Sequence, residues 1–217
     1  MDRSVSHVDH SQPDMPTILT IGHSNHDIGR FCELLQEQGV VMLVDVRSQP
    51  FSRYAGQFNR DSLEGSLQSR GIGYEFMGDR LGGRPAESHF YDEAGRVRYG
   101  AMAESEWFRA GLERLIDLAG QARTAIMCGE GDPTECHRRL LVGRALQREG
   151  VRIVHILPNG TTQTEEELTA SEQGGQASLF EEEEEWLSTR SVSRRSPPSN
   201  SSASFETQES DEWLTSD

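Results

Sequence analysis

The sequence contains no lysine: its 21 basic residues are all arginine, against 36 acidic ones, for a net charge of −15. Arginine-only usage is what codon bias in a GC-rich genome produces. Its physical consequence is that every cation is a planar fork suited to carboxylate or phosphate. So acidic a chain excludes a broad face for nucleic-acid backbone and leaves a focused pocket as the way to hold an anion. Cysteine is scarce as well. Three residues, an odd number, do not make a disulfide framework, and they suit a reducing cytoplasm. No apolar run approaches the roughly 20 residues that span a bilayer, so no membrane segment is expected. Met1 to Pro16 is polar and acidic, unlike a secretion signal. No internal repeat is present.

What is there is unevenly distributed. Residues 159–217 hold 14 Asp and Glu against 3 Arg, are rich in Ser, Gln and Glu, and are poor in aliphatics. Such a segment cannot bury enough apolar surface to offset the entropy lost on ordering. The composition therefore predicts a disordered N-terminus over 1–16, one domain over 17–160 and a disordered acidic tail over 161–217. The domain is long enough for an ordinary core.

Five short apolar runs read as strands: Thr17–Gly22, Val40–Val46, Ile72–Met77, Thr124–Cys128 and Val151–Leu157. Helical patterns lie between them at His26–Gln38, Arg60–Arg70, Glu104–Ala122 and Pro133–Glu149, three of which stop at Gly39, Gly71 and Gly150. Alternating strands and helices imply parallel pairing. The predicted class is α/β, a three-layer sandwich with a mostly parallel sheet of about five strands. The long stretch Gly78–Gly100 is expected to be a lid or binding loop.

In open parallel sheets ligands sit beyond the carboxyl ends of the strands. Three of those ends carry polar clusters: Gly22-His23-Ser24 after the first strand, Asp45-Val46-Arg47 with Arg53 after the second, and Cys128-Gly129-Glu130 leading to Cys136-His137-Arg138 after the fourth. Asp132-Pro133-Thr134-Glu135 reads as a helix start, whose free amides and positive end attract anions and favour a thiolate. Together these describe a cysteine nucleophile, Cys128, with an anion cradle. Simpler readings stand beside it: an apolar strand-end Cys128, an Asp45–Arg47 ion pair that ties loops, a His23 that bonds a loop carbonyl. Cys128, Cys136 and His137, with His23 or Asp45 as a fourth ligand, could also hold a metal, but the spacing is not that of a zinc knuckle or ribbon. A regulatory Cys128–Cys136 disulfide is a further alternative. The leading reading needs neither metal nor cofactor.

With these motifs in view, TIGHS at 20–24, VDVRSQPFSR at 44–53, LGGRP at 81–85, CGEGDPTECHR at 128–138 and then VHILPNG, the chain resembles the bacterial and archaeal family of domain of unknown function 488, from Thr17 to about Gly160. The resemblance implies a three-layer α/β fold and a site built from those motifs, Gly82 and Gly83 included. It implies no reaction. VDVR also looks like the corresponding strand of rhodanese-type domains, although Glu130 and Asp132 would repel a thiosulfate-like anion.

The expected function is a cysteine-centred enzyme, a thiol-dependent hydrolase or transferase, acting on a nucleic acid or nucleotide-like anion. Arg47, Arg53 and Arg138 are expected to hold phosphate, and Asp45, Glu130 or His137 to move protons. A non-catalytic nucleic-acid or nucleotide binding module and a rhodanese-like sulfur carrier are the alternatives. In the tail, Gln176-Ala177-Ser178-Leu179-Phe180 looks like the pentapeptide by which bacterial proteins bind the replication sliding clamp. Gln176, Leu179 and Phe180 are its expected contacts.

Overall fold

The computed structural model describes residues 16–172 and 186–192. A six-stranded sheet carries the fold, in the order β3-β2-β4-β1-β5-β6. Its strands are β1 (Thr17–Gly22), β2 (Met42–Asp45), β3 (Gly73–Phe76), β4 (Thr124–Cys128), β5 (Arg152–Ile156) and β6 (Thr162–Thr164). The first five run parallel, and only β6 pairs antiparallel, on β5. Side chains alternate between two cores, as the two-residue strand period requires. Leu19, Ile21, Leu43, Ala125 and Met127 pack beneath α1 (Ile28–Glu37) and α2 (Arg60–Gln68). Ile18, Val44, Ile126 and Ile153 face the opposite way, towards α3 (Tyr99–Ala103), α4 (Glu106–Gln121) and α5 (Arg144–Arg148). Strands apolar on both faces belong in a sheet covered on both faces, so the three-layer α/β architecture follows directly from the sequence.

Strand order decides where a site can form. β2, β4 and β1 are neighbours, so the three polar strand ends lie side by side at one sheet edge. Each helix is placed by local chemistry. Asp27 caps α1 by accepting from the Arg30 amide at 2.9 Å. The chain leaves that helix through Gly39 at φ +66, a left-handed turn that costs glycine little.

Four elements differ from the sequence reading. The sheet has a sixth strand because Asn159 and Gly160 turn the chain back: the Asn159 side chain accepts from the Thr161 amide and hydroxyl, at 3.0 and 2.8 Å. Three polar residues, TQT, have no apolar period to read. The helix expected over 104–122 is present as α4, but a short helix that was not expected, α3, precedes it; Ser105, extended at φ −70, ψ 145, separates the two. The helix expected from Pro133 starts later. Asp132 takes the Thr134 amide at 2.8 Å in a local turn, and the chain then winds as a π-helix over Arg138–Gly143 before α5. Such segments cluster at functional sites. Finally, residues 161–172 form β6 and α6 (Glu165–Glu172), and 186–192 lie against the domain, so the ordered part extends past 160. Gly78–Gly100 is no free lid, because Leu81, Phe90, Val97 and Tyr99 are buried in it.

Candidate functional site

Two backbone crossings shape the sheet edge. The loop after β4 passes so close over the end of β1 that a Cβ on Gly22 would lie 1.7 Å from the Glu130 carbonyl oxygen. Any side chain there would displace the loop. His23 and Ser24 extend the ladder with amide bonds to the Cys128 and Gly129 carbonyls at 3.0 and 2.9 Å. From the other side, Arg138 clamps the same loop. It is fully buried and donates to the Glu130 and Gly131 carbonyls at 2.5 and 2.8 Å. Gly83 lets the 78–100 segment press on His137, since a Cβ there would meet the His137 ring carbon Cγ at 2.6 Å.

These crossings bring four reactive side chains together. Cys128 Sγ lies 2.9 Å and Cys136 Sγ 3.2 Å from the same Glu130 oxygen, Oε2. Cys128 Sγ is also 3.4 Å from His137 Nδ1. His137 Nε2 is 2.9 Å from the Val46 carbonyl, which can only accept. Nε2 therefore carries the hydrogen, and Nδ1 is left with its lone pair towards Cys128 in the neutral ring.

The two thiols are not equivalent. Burial and the negative charge of Cys136 and Glu130 push the Cys128 thiol well above its ordinary value. Burial acts upward on Cys136 too, but hydrogen bonds with Cys128 and His137 and the charge of Arg138 bring it down to about 5. Glu130 is taken to about 2: burial opposes this, and bonds from Cys128 and the backbone outweigh it. His137 moves upward, because its contacts with the Cys136 sulfur outweigh burial. Cys136 thus releases its proton first, and Cys128 keeps its own. The four donor atoms all lie within 4.8 Å of one another, a spacing that also suits a metal ion.

A cavity of about 540 Å³ opens onto this cluster. Cys128, Glu130 and His137 reach it, with His23, Arg47 and Gly83. His23 stacks on Phe58, ring centres 4.4 Å apart, and its Nδ1 donates to the Ser24 carbonyl at 3.0 Å. Burial lowers its pKa, so the ring is neutral with Nε2 available. One wall is a strap, residues 186–192. Trp186 anchors it, lying 4.9 and 4.6 Å from the Arg144 and Arg148 guanidinium carbons and donating to the Leu140 carbonyl at 2.5 Å. Ser188 fixes its middle, exchanging bonds with Val97 at 2.8 Å each way.

Several expected residues sit elsewhere. Asp45 is fully buried and does not reach the cavity. It receives the Arg47 guanidinium at 2.9 and 2.6 Å and the Tyr74 hydroxyl at 2.9 Å, so it orients Arg47 and leaves proton transfer to others. Arg138, expected on an anion, is spent on loop carbonyls. Arg53 is exposed and away from the cavity lining. Gly82 is buried behind the site, against Ser48 and the Gly78 carbonyl. Ser24 shapes the β1 turn at φ 48 and stands over Gly131. The expected helix end at Cys136 is replaced by the turn and π-helix. Gln176, Leu179 and Phe180 lie outside the described residues. Arg84, Tyr99 and the strap were not anticipated as site residues, although Arg84 stands inside LGGRP.

The profile of the family described as domain of unknown function DUF488 matches residues 27–145, more than half of the chain. The chain belongs to that family. The match covers α1 through the π-helix and includes Asp45, Arg47, Arg84, Cys128 and His137, while His23 precedes it. No curated protein and no solved structure matches the chain. Among the described residues no helix is long and apolar enough to cross a membrane.

Proposed function

We propose that this DUF488 protein is a thiol-dependent enzyme, a hydrolase or transferase, whose substrate is a nucleotide-like anion held in the cavity beside Cys128. One observation carries the reading. Cys128 Sγ stands 3.4 Å from His137 Nδ1, in a ring whose other nitrogen is fixed on the Val46 carbonyl, at the wall of an accessible cavity. A nucleophile, its proton acceptor and an orienting group are the three parts such chemistry needs. In the proposed step the sulfur bonds to the substrate's electrophilic centre, the thiol proton passes to Nδ1, and the imidazolium returns it to the leaving group. The upward shift of His137 suits a proton acceptor.

The anion has two cations to meet. Arg84 lines the cavity and its guanidinium makes no hydrogen bond or ion pair among the described residues; Arg47 lines it too, with Nε and Nη2 engaged by Asp45 and the Phe58 carbonyl. A volume of about 540 Å³ is within the range of pockets for small ligands. Three cysteines that remain free thiols fit a cytoplasmic setting. Tethering to the sliding clamp through Gln176, Leu179 and Phe180 belongs to the same reading and rests on sequence alone.

The test is competitive alkylation of the reduced, chelator-treated chain, mapped by mass spectrometry. Cys128 should be modified first, because it lines the cavity and can pass its proton to His137; Cys136, although the more readily ionised thiol, does not line the cavity and should react more slowly, and Cys32 last. A panel of nucleotides should contain one that slows the Cys128 reaction. Modification of Cys32 ahead of Cys128 would sink the nucleophile, and absence of protection by any nucleotide would sink the substrate class.

A further inference from the structure

We infer that Cys128, Glu130, Cys136 and His137 are the ligands of a thiophilic divalent cation of the zinc class. Two sulfurs, one ring nitrogen and one carboxylate oxygen come together here, with all four atoms within 4.8 Å of one another. A tetrahedral zinc ion, with sulfur at about 2.3 Å and nitrogen at about 2.0–2.1 Å, sets its ligand atoms roughly 3.5–3.8 Å apart. The separation of 3.4 Å between Cys128 Sγ and His137 Nδ1 is close to that edge. The 2.9 and 3.2 Å from the sulfurs to Glu130 are shorter than that edge, so a bound ion would have to open them by a few tenths of an ångström. Two thiols and an imidazole select soft or borderline ions over magnesium or calcium.

A second feature is independent of the donor set. His137 spends its Nε2 hydrogen on the Val46 carbonyl, the outer-shell bond by which metal-binding histidines are held with the other nitrogen towards the ion. Buried Arg138 fixes the Glu130 carbonyl on one side, and the contact that requires Gly22 fixes it on the other. The ligands thus sit on a strand end, a clamped loop and the lead into the π-helix. Glu130, the exposed member, is the ligand that can exchange. Glu130 also takes the fourth place that the sequence had suggested for His23 or Asp45.

The inference uses the thiol site of the proposed function but does not require Cys128 to be a nucleophile. If both hold, they exclude each other in time, because a sulfur bound to the ion is not free to attack. Cation binding would then silence the enzyme and its removal would restore it.

Cobalt(II) is the probe. The full-length chain, reduced and chelator-treated, is titrated with cobalt(II) and then with zinc as competitor. The expected result is one cobalt per chain with thiolate-to-metal charge-transfer absorption, displaced by zinc. Affinity should fall by at least about tenfold in Cys136→Ala and in Glu130→Gln. Glu130→Gln changes an exposed residue, so a misfolded Cys136→Ala would not leave the question open. No charge-transfer absorption, or an affinity that Glu130→Gln leaves unchanged, overturns the site. Alkylation of Cys128 in the metal-free chain separates the two readings. Cobalt binding with an inert Cys128 keeps the metal site and removes the nucleophile; alkylation without cobalt binding does the reverse.

Discussion

Two polar clusters hold a histidine and a glutamate inside this protein, and they are built to opposite ends. In the first, His155 on β5 is fully buried; Thr20 meets its Nδ1 and Glu165 its Nε2, each at 2.8 Å. The other Glu165 oxygen takes Arg139 at 2.8 Å and Thr169 at 3.2 Å, and Arg139 continues to Glu172 at 2.6 Å. Donors and acceptors fill one another, and none of these residues lines the cavity. In the second cluster the histidine holds one bond to a carbonyl and turns its free nitrogen to a sulfur at a cavity wall. A buried histidine–carboxylate pair is therefore not in itself a site. Saturation makes the first one structure, and an unspent lone pair with access to a ligand makes the second one chemistry.

The contrast predicts opposite costs for similar substitutions. Glu165→Ala leaves Arg139 and His155 buried without their partner, and should cost about 3–5 kcal/mol of stability. Glu130→Ala, at an exposed residue whose carboxylate has two thiols as its side-chain partners among the described residues, should cost about 1 kcal/mol or less. Urea unfolding of both variants measures the difference, and equal losses would erase the distinction. Acid should act on both carboxylates, because each is held below its ordinary value. Burial opposes ionisation of Glu165, but His155 and Arg139 hold it below its ordinary 4.5. A carboxylate with a depressed folded-state value contributes stability that is full above pH 4.5 and is lost as pH falls towards the folded value. Glu165→Gln should flatten that acid limb, as read from unfolding midpoints between about pH 3 and 6.

The strap separates the two clusters in another way, because only the cysteine site lies beneath it. Trp186→Ala removes the anchor between Arg144 and Arg148. The expected loss is about 1–2 kcal/mol, together with a several-fold faster alkylation of Cys128. An unchanged alkylation rate would mean that the strap does not limit access to the sulfur. The environment of His155 should not respond, and its ring resonances in an NMR spectrum provide the control.

How much of this the sequence carries varies with the physics involved. Runs such as VVMLVDV and RIVHIL are apolar on both faces, so the parallel sheet and its two helix layers could be read directly. The meeting of Cys128, Cys136 and His137 at one sheet edge was legible from the strand ends. Glu130 as the shared acceptor of both thiols was legible only as a nearby acid, because its role depends on the loop being clamped by Arg138. That clamp hid itself: a fully buried arginine on carbonyls looks, in sequence, like an arginine awaiting phosphate. Asp45 misled for the same reason, since Arg47 and Tyr74 consume it. The strap had no signal at all. It is one tryptophan and a few small residues after an acidic run, and only tertiary contact gives them a place.

The smallest expected effect on stability tests the site most directly. Arg84 is exposed, and its guanidinium makes no hydrogen bond or ion pair among the described residues; only its backbone amide is engaged, with the Ser48 hydroxyl at 3.0 Å. Arg84→Ala should therefore change stability by less than about 0.5 kcal/mol. A charge-assisted bond from arginine to phosphate contributes about 1.5–3 kcal/mol, so the substitution should weaken binding of a protecting nucleotide by roughly tenfold or more. Arg138→Ala should behave the other way. It releases the Glu130 and Gly131 carbonyls inside the protein, lowers stability and disturbs the loop whether or not an anion is present. The measurement is nucleotide protection of Cys128 from alkylation, scored beside urea unfolding for each variant. An Arg84→Ala chain that keeps full protection would remove this cation from the anion site and leave Arg47 to hold the anion alone.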